Sequence, residues 1–251
     1  LKGHSGFINF LAITPDGQLL VSASADKTIK VWNLSTGKAI RTLKGHSGFI
    51  NFLAITSDGQ LLVSASADKT IKVWNLSTGK EIRSLKGHSN SVNSLAISPD
   101  GKTLFSASAD KTIKIWNIST GQKIRTLTGH SSFVNYLAIS PDGKTLLSAS
   151  ADKTIKIWNL TTGQITHILK GHSSFVNYLH ISPDGEMLIS GSPDNTIKMW
   201  NLSTGKEIRT LKGDFNYVNS LAISPIAISP DRQAIATGSG DKTIKLWQLP
   251  K

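Results

Sequence analysis

Five times in this chain a histidine, a serine, an aspartate and a tryptophan recur at one spacing. The sets are His4, Ser22, Asp26 and Trp32; His46, Ser64, Asp68 and Trp74; His88, Ser106, Asp110 and Trp116; His130, Ser148, Asp152 and Trp158; and His172, Ser190, Asp194 and Trp200. Ser, His and Asp are the parts of a nucleophilic triad, in which a carboxylate orients an imidazole and the imidazole takes the serine proton. That chemistry is hydrolysis or acyl transfer. A sixth set departs: Thr237, Asp241 and Trp247 are present, but Asp214 stands where His is expected. Trp247 also comes five positions late, because "AISP" is doubled between Ser220 and Pro230. Two carboxylates in one dry pocket repel and raise a pKa, so the Gly213-Asp214 loop is expected to turn out to solvent. A metal there would need further oxygen ligands. The sequence supplies none, and neither metal nor cofactor is expected.

What must position these residues is a unit of 42 residues, present six times. A strict period of this length means stacked supersecondary units. Within the first unit "FINFLAI", "QLLVSAS", "TIKVWNL" and "KAIRTLK" are four short runs rich in apolar and β-branched residues, which read as four strands. Their separators are Thr14-Pro15-Asp16-Gly17, Ala25-Asp26-Lys27 and Asn33 to Gly37. Pro sets φ, Asp bonds its own backbone and Gly accepts positive φ, so these are hairpin turns in an antiparallel meander. Small Ala12, Ala54, Ala96 and Ala138 suit a crowded innermost strand, and the basic–apolar alternation of "KAIRTLK" suits an outer one with a wet face. Four-stranded sheets set radially make a β-propeller. The expectation is an all-β, six-bladed propeller in one domain, 1–251, with blades near 6–43, 48–85, 90–127, 132–169, 174–211 and 216–249. The last blade lacks its outer strand, because the chain stops at Lys251, and its open edge is expected to allow self-association.

With 28 basic and 16 acidic residues the formal charge is +12, which raises nucleic acid or another polyanion as a partner. Each unit contributes its own cations at fixed places, such as Lys27, Lys30, Lys38, Arg41 and Lys44. The charge is therefore expected to be dispersed rather than gathered in one stripe, and nucleic-acid binding is the alternative reading. No apolar run approaches the roughly 18 residues of a membrane span, so a soluble domain is expected. The absence of Cys excludes disulfides without fixing a compartment; the expected location is cytoplasmic.

The Gly-His pairs, "SPDGK", "SASADKTIKVW" and the intervals between them resemble the WD-repeat β-propeller family over essentially all 251 residues. The likeness is greatest to its bacterial-type versions with near-identical repeats. In that group such propellers are often joined to a kinase or signalling ATPase, which implies an interaction domain of a larger signalling protein. This chain holds no Gly-rich phosphate loop and no kinase catalytic-loop motif. The Asp that usually follows Trp in the family is here Asn33, Asn75, Asn117, Asn159 and Asn201, then Gln248. Those five Asn also open N-x-S/T sequons, and are read as turn formers rather than glycosylation sites.

For the His–Ser–Asp–Trp sets the resemblance implies a structural role, with indole N–H to Ser, Ser to imidazole and imidazole to Asp. Five copies fit stapling better than five active sites. The resemblance also implies a binding surface around the top mouth of a central channel. Carried onto this chain, its first ring is Phe7, Phe49, Ser91, Phe133, Phe175 and Tyr217. Its second is Asn9, Asn51, Asn93, Asn135, Asn177 and Asn219, and its third Ala25, Ala67, Ala109, Ala151, Pro193 and Gly240. Lys27, Lys69, Lys111, Lys153 and Lys242 stand just outside, with Asn195 breaking the series. Aromatics beside amides and cations suit a protein or acidic peptide. The function expected is a non-enzymatic protein-interaction scaffold.

Overall fold

A computed structural model describes residues 1–212 in full and, beyond them, the backbone of the strands at 227–228, 234–238 and 244–248. Every element among the described residues is a strand. The chain divides into two compact units, Leu1–Gly129 and His130–Lys251.

The first unit holds three four-stranded antiparallel sheets, each hydrogen-bonded in chain order. They are β1 (Ile8–Ile13), β2 (Leu19–Ser24), β3 (Thr28–Asn33) and β4 (Ala39–Lys44); β5 (Ile50–Ile55), β6 (Leu61–Ser66), β7 (Ile71–Asn75) and β8 (Glu81–Leu85); and β9 (Val92–Ile97), β10 (Thr103–Ser108), β11 (Ile113–Asn117) and β12 (Lys123–Leu127). The second unit continues with β13 (Val134–Ile139), β14 (Thr145–Ser150), β15 (Thr154–Asn159) and β16 (Ile165–Lys170), then β17 (Tyr178–Ile181), β18 (Met187–Ser192), β19 (Thr196–Asn201) and β20 (Glu207–Lys212). Its described residues end in a three-stranded sheet of β21 (Ala227–Ile228), β22 (Ala234–Gly238) and β23 (Ile244–Gln248). Five sheets are thus the expected four-stranded meanders.

The turns form as their residues dictate. Gly17 N–H donates to the Thr14 carbonyl at 2.8 Å, and Gly17 takes φ +71°, a left-handed conformation that costs glycine little. Between β3 and β4, Asn33 Oδ1 accepts from the Thr36 amide at 2.9 Å and the Ser35 hydroxyl at 2.7 Å. Only the carbonyl oxygen of Asn33 is used, and a carboxylate would offer the same acceptor. The exchange of the family's usual Asp for Asn therefore leaves this turn intact.

The middle strands are buried on both faces, which is why "LLVSAS" is a near-continuous apolar and small-residue run instead of an alternating one. In the first unit Val21, Ala23, Ile29, Val31 and Leu43 of one sheet pack with Ile50, Leu53, Leu62, Trp74 and Leu76 of the next. In the second, Leu147, Ala149, Ile155, Ile157 and Leu169 pack with Val176, Leu179, Leu188 and Trp200. The first strands of successive sheets also lie together, β1 on β5, β5 on β9 and β13 on β17. Each buried branched side chain of this kind is worth about 1.5–3 kcal/mol.

One strand is shorter than its counterparts for a reason visible in its partner. In four sheets the amide after β2, β6, β10 or β14 closes the ladder: Ala25, Ala67, Ala109 and Ala151 N–H donate to the Phe7, Phe49, Ser91 and Phe133 carbonyls at 2.8–2.9 Å. Pro193 stands at that place in the fifth repeat and has no N–H to give. Pairing there starts only at Tyr178 with Gly191.

The third strands carry a lysine whose stem is covered and whose ammonium meets the outer strand. Lys72 Nζ donates to Glu81 and Lys198 Nζ to Glu207, each at 2.8 Å. In the fourth sheet Ile165 and Ile168 occupy the equivalent places beside Lys156. Ile165→Glu is expected to raise stability by the amount typical of a partly exposed ion pair, about 0.2–1 kcal/mol. Paired thermal melts check this. An unchanged or lowered midpoint would show that water already serves the Lys156 ammonium as well.

Candidate functional site

The five tetrads assemble as hydrogen-bonded chains, each within one sheet. Trp32 Nε1 donates to Ser22 Oγ at 2.8 Å, Ser22 Oγ lies 2.7 Å from His4 Nε2, and His4 Nδ1 lies 2.8 Å from Asp26 Oδ2. The other four sets repeat these contacts within 0.1 Å. With the neutral imidazole donating through Nδ1, the Ser hydroxyl donates to Nε2. This is the connectivity of a catalytic triad, and two features separate it from one. The Ser side chains are wholly buried, and each oxygen already accepts an indole N–H. A nucleophile needs an open oxygen in reach of substrate, and these five have none.

Each Asp completes the seal. Asp68 Oδ2 also accepts the Ser47 amide at 2.9 Å, and Oδ1 accepts the Thr70 amide at 2.9 Å and hydroxyl at 2.6 Å. At Gly3, Gly45, Gly87 and Gly171, each before a tetrad His, a side chain would crowd the tryptophan ring. Gly45 sits at φ +158°, and a Cβ there would stand 3.2 Å from the Trp74 ring. The chain thus ties the incoming loop, two strands and the turn between them.

Burial pushes the imidazoles of His46, His88 and His172 below their ordinary 6.5, against the pull of the partner Asp. For Asp68 and Asp110 burial acts to raise the carboxyl. Hydrogen bonds from Thr70 and Thr112 and from the imidazoles outweigh it and hold both at about 2. Asp26, Asp152 and Asp194 are likewise lowered, by Thr and His hydrogen bonds that overcome burial.

At the same sheet edge stand the residues proposed for binding. Phe7 is 86% exposed, and Phe49, Phe133 and Phe175 are each about half exposed. Lys27, Lys69, Lys111 and Lys153 are exposed and sit at φ +69° to +71°, with Asn195 at +64° in the fifth repeat. Ser91 replaces the aromatic in the third repeat and is half-buried. The nearest acid in sequence, the Asp before each Lys, spends its oxygens inside the tetrad. The cations at this edge therefore have no free carboxylate in their own turn.

The Asn series has a different environment. Asn9, Asn51, Asn93 and Asn135 are the extra residues of β-bulges, which the registers place between Ile8 and Phe10, Ile50 and Phe52, Val92 and Ser94, and Val134 and Tyr136. A bulge re-aims its side chain. Asn9 Nδ2 donates to the Ile50 carbonyl at 3.0 Å, Asn51 Nδ2 to the Val92 carbonyl at 2.9 Å, and Asn135 Nδ2 to the Asn177 amide oxygen at 2.9 Å. These amides link one sheet to the next. Among them also lie two tilted ring pairs, Phe10 and Phe52 with centroids 3.9 Å apart, and Tyr136 and Tyr178, 5.0 Å apart. Neither ring pair was singled out from the sequence, although four aromatics at one repeat position was the available signal. Tyr217, Asn219 and Lys242, together with Asp214, Gly240 and Asp241, lie outside the described residues, as do the side chains of Thr237 and Trp247.

Comparison with known proteins agrees with this geometry. The family described as "WDR3 first beta-propeller domain" matches residues 73–249, and "WD domain, G-beta repeat" matches 1–33 and 37–75. Among curated proteins, the "Ribosome biogenesis protein BOP1 homolog" of Drosophila erecta and that of Drosophila melanogaster are each 43% identical over 42 residues. The Drosophila willistoni protein is 40% identical over the same length. Each match covers 17% of this chain and 5% of the relative. Forty-two residues is one repeat, so the likeness is to a single blade. The expected closeness to bacterial-type, kinase-linked versions gains nothing from these matches.

Two measurements test the tetrads. Ser64→Ala strands the Trp74 indole and one His46 nitrogen together, and is expected to cost about 1–3 kcal/mol while leaving binding at the Phe edge unchanged. Loss of binding at an unaltered melting temperature would make the tetrad functional instead. The second is pH. Below about 6.5 an unfolded chain takes up protons that folded His46, His88 and His172 refuse, so stability falls from there downward. Below about 4 the unfolded carboxyls protonate while Asp68 and Asp110 stay ionised to about 2, and the fall steepens. Melts from pH 8 to pH 3 check both steps; a flat midpoint between pH 7 and pH 5 would contradict the first.

Proposed function

Since this chain belongs to the WD-repeat β-propeller family, we propose that it is a scaffold without chemistry of its own, binding an acidic protein segment at the Phe–Lys edge of its sheets. The observation that carries this reading is the pairing, in the first, second and fourth repeats, of an exposed Phe with an exposed Lys held at positive φ. A left-handed conformation is unfavourable for Lys and routine for Asn or Gly. Asn195 shows that the turn accepts the cheaper residue. Four repeats nonetheless keep the cation, and strained residues held by their surroundings cluster at recognition sites. A segment bearing Asp or Glu beside apolar side chains satisfies both partners, as aromatic anchors in polar surroundings commonly do.

The tetrads and bulge amides serve the fold, which leaves the Phe and Lys series as the groups free to meet a partner. A match of one repeat brings over the blade and not the assembly in which the whole relative works, so ribosome biogenesis is not carried to this chain. A signalling attachment has no support beyond the resemblance that suggested it.

The test is a displayed library of random peptides panned on the protein, followed by calorimetry. Acidic, apolar sequences are expected to be enriched. Phe49→Ala, Phe133→Ala and Phe175→Ala together should weaken the best peptide at least tenfold with a cooperative melt retained. Lys69→Asn, Lys111→Asn and Lys153→Asn should also weaken it while each raises stability by about 0.5 kcal/mol, through relief of the strained turn. Failure of the Phe variant to fold would show that these rings are core. Preference for a DNA duplex, with affinity falling steeply in salt, would favour the polyanion reading instead.

A further inference from the structure

Near-identity of the repeats lets each sheet serve as a control for the others, and the lysine of the third strand shows where one sheet departs. Lys30, Lys72, Lys114, Lys156 and Lys198 hold one repeat position. Four of them meet an acceptor on the outer strand. Lys72 Nζ donates to both oxygens of Glu81, and Lys198 Nζ to Glu207 and the Thr210 hydroxyl, at 2.7–2.9 Å. Lys30 reaches the Thr42 hydroxyl at 2.9 Å and Lys114 the Thr126 hydroxyl at 3.4 Å. In the fourth sheet both acceptor places are apolar. Ile165 stands opposite Trp158, where Glu81 stands opposite Trp74, and Ile168 stands opposite Lys156, where Thr42 stands opposite Lys30.

Lys156 is nonetheless only 6% exposed, and among the described residues its ammonium has no hydrogen-bond or ion-pair partner. No fully buried side-chain nitrogen or oxygen among those residues lacks a partner, so this ammonium opens to the surface. Beside it on β16 stand Ile168, 46% exposed, and half-buried Ile165. Lys170, exposed and two residues further along the same face, adds a second cation, and neither β15 nor β16 carries an acid to offset the two. We propose that Lys156 is a binding site for a carboxylate carried on an apolar stem, the group that Glu81 and Glu207 supply internally in the second and fifth sheets. The ammonium takes the carboxylate through charge-assisted hydrogen bonds, and the stem covers Ile165 and Ile168. A charge in apolar surroundings is costly until it is paired, so the site favours a ligand that brings both parts. None of these residues belongs to the Phe–Lys edge. A free aliphatic acid and a carboxylate borne by a protein share this chemistry.

The test is a titration of sodium butyrate, pentanoate and hexanoate into the full chain labelled with carbon-13 at its isoleucine methyls. Saturable shifts at Ile165 and Ile168 are expected, with affinity rising by up to about fourfold for each added methylene. Hexanol and inorganic phosphate should each bind at least tenfold more weakly than hexanoate. Lys156→Met should weaken hexanoate at least tenfold with a cooperative melt retained, and Ile165→Glu should do the same by placing an internal carboxylate on the ammonium. Glu81→Ile together with Ser84→Ile, made in the Lys156→Met chain, should restore binding through Lys72. A capped tripeptide of isoleucine, glutamate and isoleucine separates the two sources: tighter binding than hexanoate supports a protein side chain as the ligand, and weaker binding a free acid. Hexanoate binding that survives Lys156→Met and Ile165→Glu, equal affinity for phosphate or hexanol, or no saturable shift at Ile165 and Ile168 would overturn the proposal.

Discussion

In each repeat a buried serine hydroxyl accepts a tryptophan indole N–H and gives its own proton to a histidine, which in turn gives one to an aspartate. Burying three polar side chains and a carboxylate costs several kcal/mol unless every donor and acceptor is used. Here every one is. Among the described residues no buried side-chain nitrogen or oxygen lacks a partner. The aspartate then fixes the turn in which the exposed lysine sits, and the imidazole fixes the loop that leads to the exposed phenylalanine. The Phe–Lys edge inherits its geometry from this buried network.

That dependence explains how a strained lysine persists. The Asp68 carboxylate holds Ser47, Thr70 and His46 at once, so the turn has little freedom to relax and Lys69 stays at φ +71°. A sealed hydrogen-bond network thus holds a strained, charged position on the surface, where cationic groups can be kept at defined spacing.

Much of this was legible in the sequence because it is local and periodic. Strands and turns follow from residue type and the 42-residue spacing, the tetrad pairings are what the family resemblance implies, and the structure agrees with both. What was not legible depends on neighbours. Asn51 reads as an amide free for a ligand until the register shows it to be a bulge residue whose side chain crosses to the Val92 carbonyl. Pro193 reads from the resemblance as one member of the third surface ring, and it shortens a strand because it has no N–H to close the ladder. The even spread of cations along the chain hides the fact that the lysines after each tetrad Asp sit at the one edge whose acids are spent. The sixth repeat, with Asp214 and the doubled "AISP", lies largely outside the described residues, and the ring count rests where the sequence left it.

Repetition also limits specificity. Junctions made from the same residues cannot distinguish one neighbouring sheet from another, because discrimination requires a misfit against the wrong partner as well as a fit to the right one. Ala39 in place of Glu81, Pro15 in place of Ser57 and Thr42 in place of Ser84 are the few differences between the first two repeats after residue 2. None of them is among the residues by which the first two sheets pack, Val21, Ala23, Ile29, Val31 and Leu43 with Ile50, Leu53, Leu62, Trp74 and Leu76. Within each unit the sheets are held by burying the apolar face of one against that of the next, and the same residue types recur at each such contact.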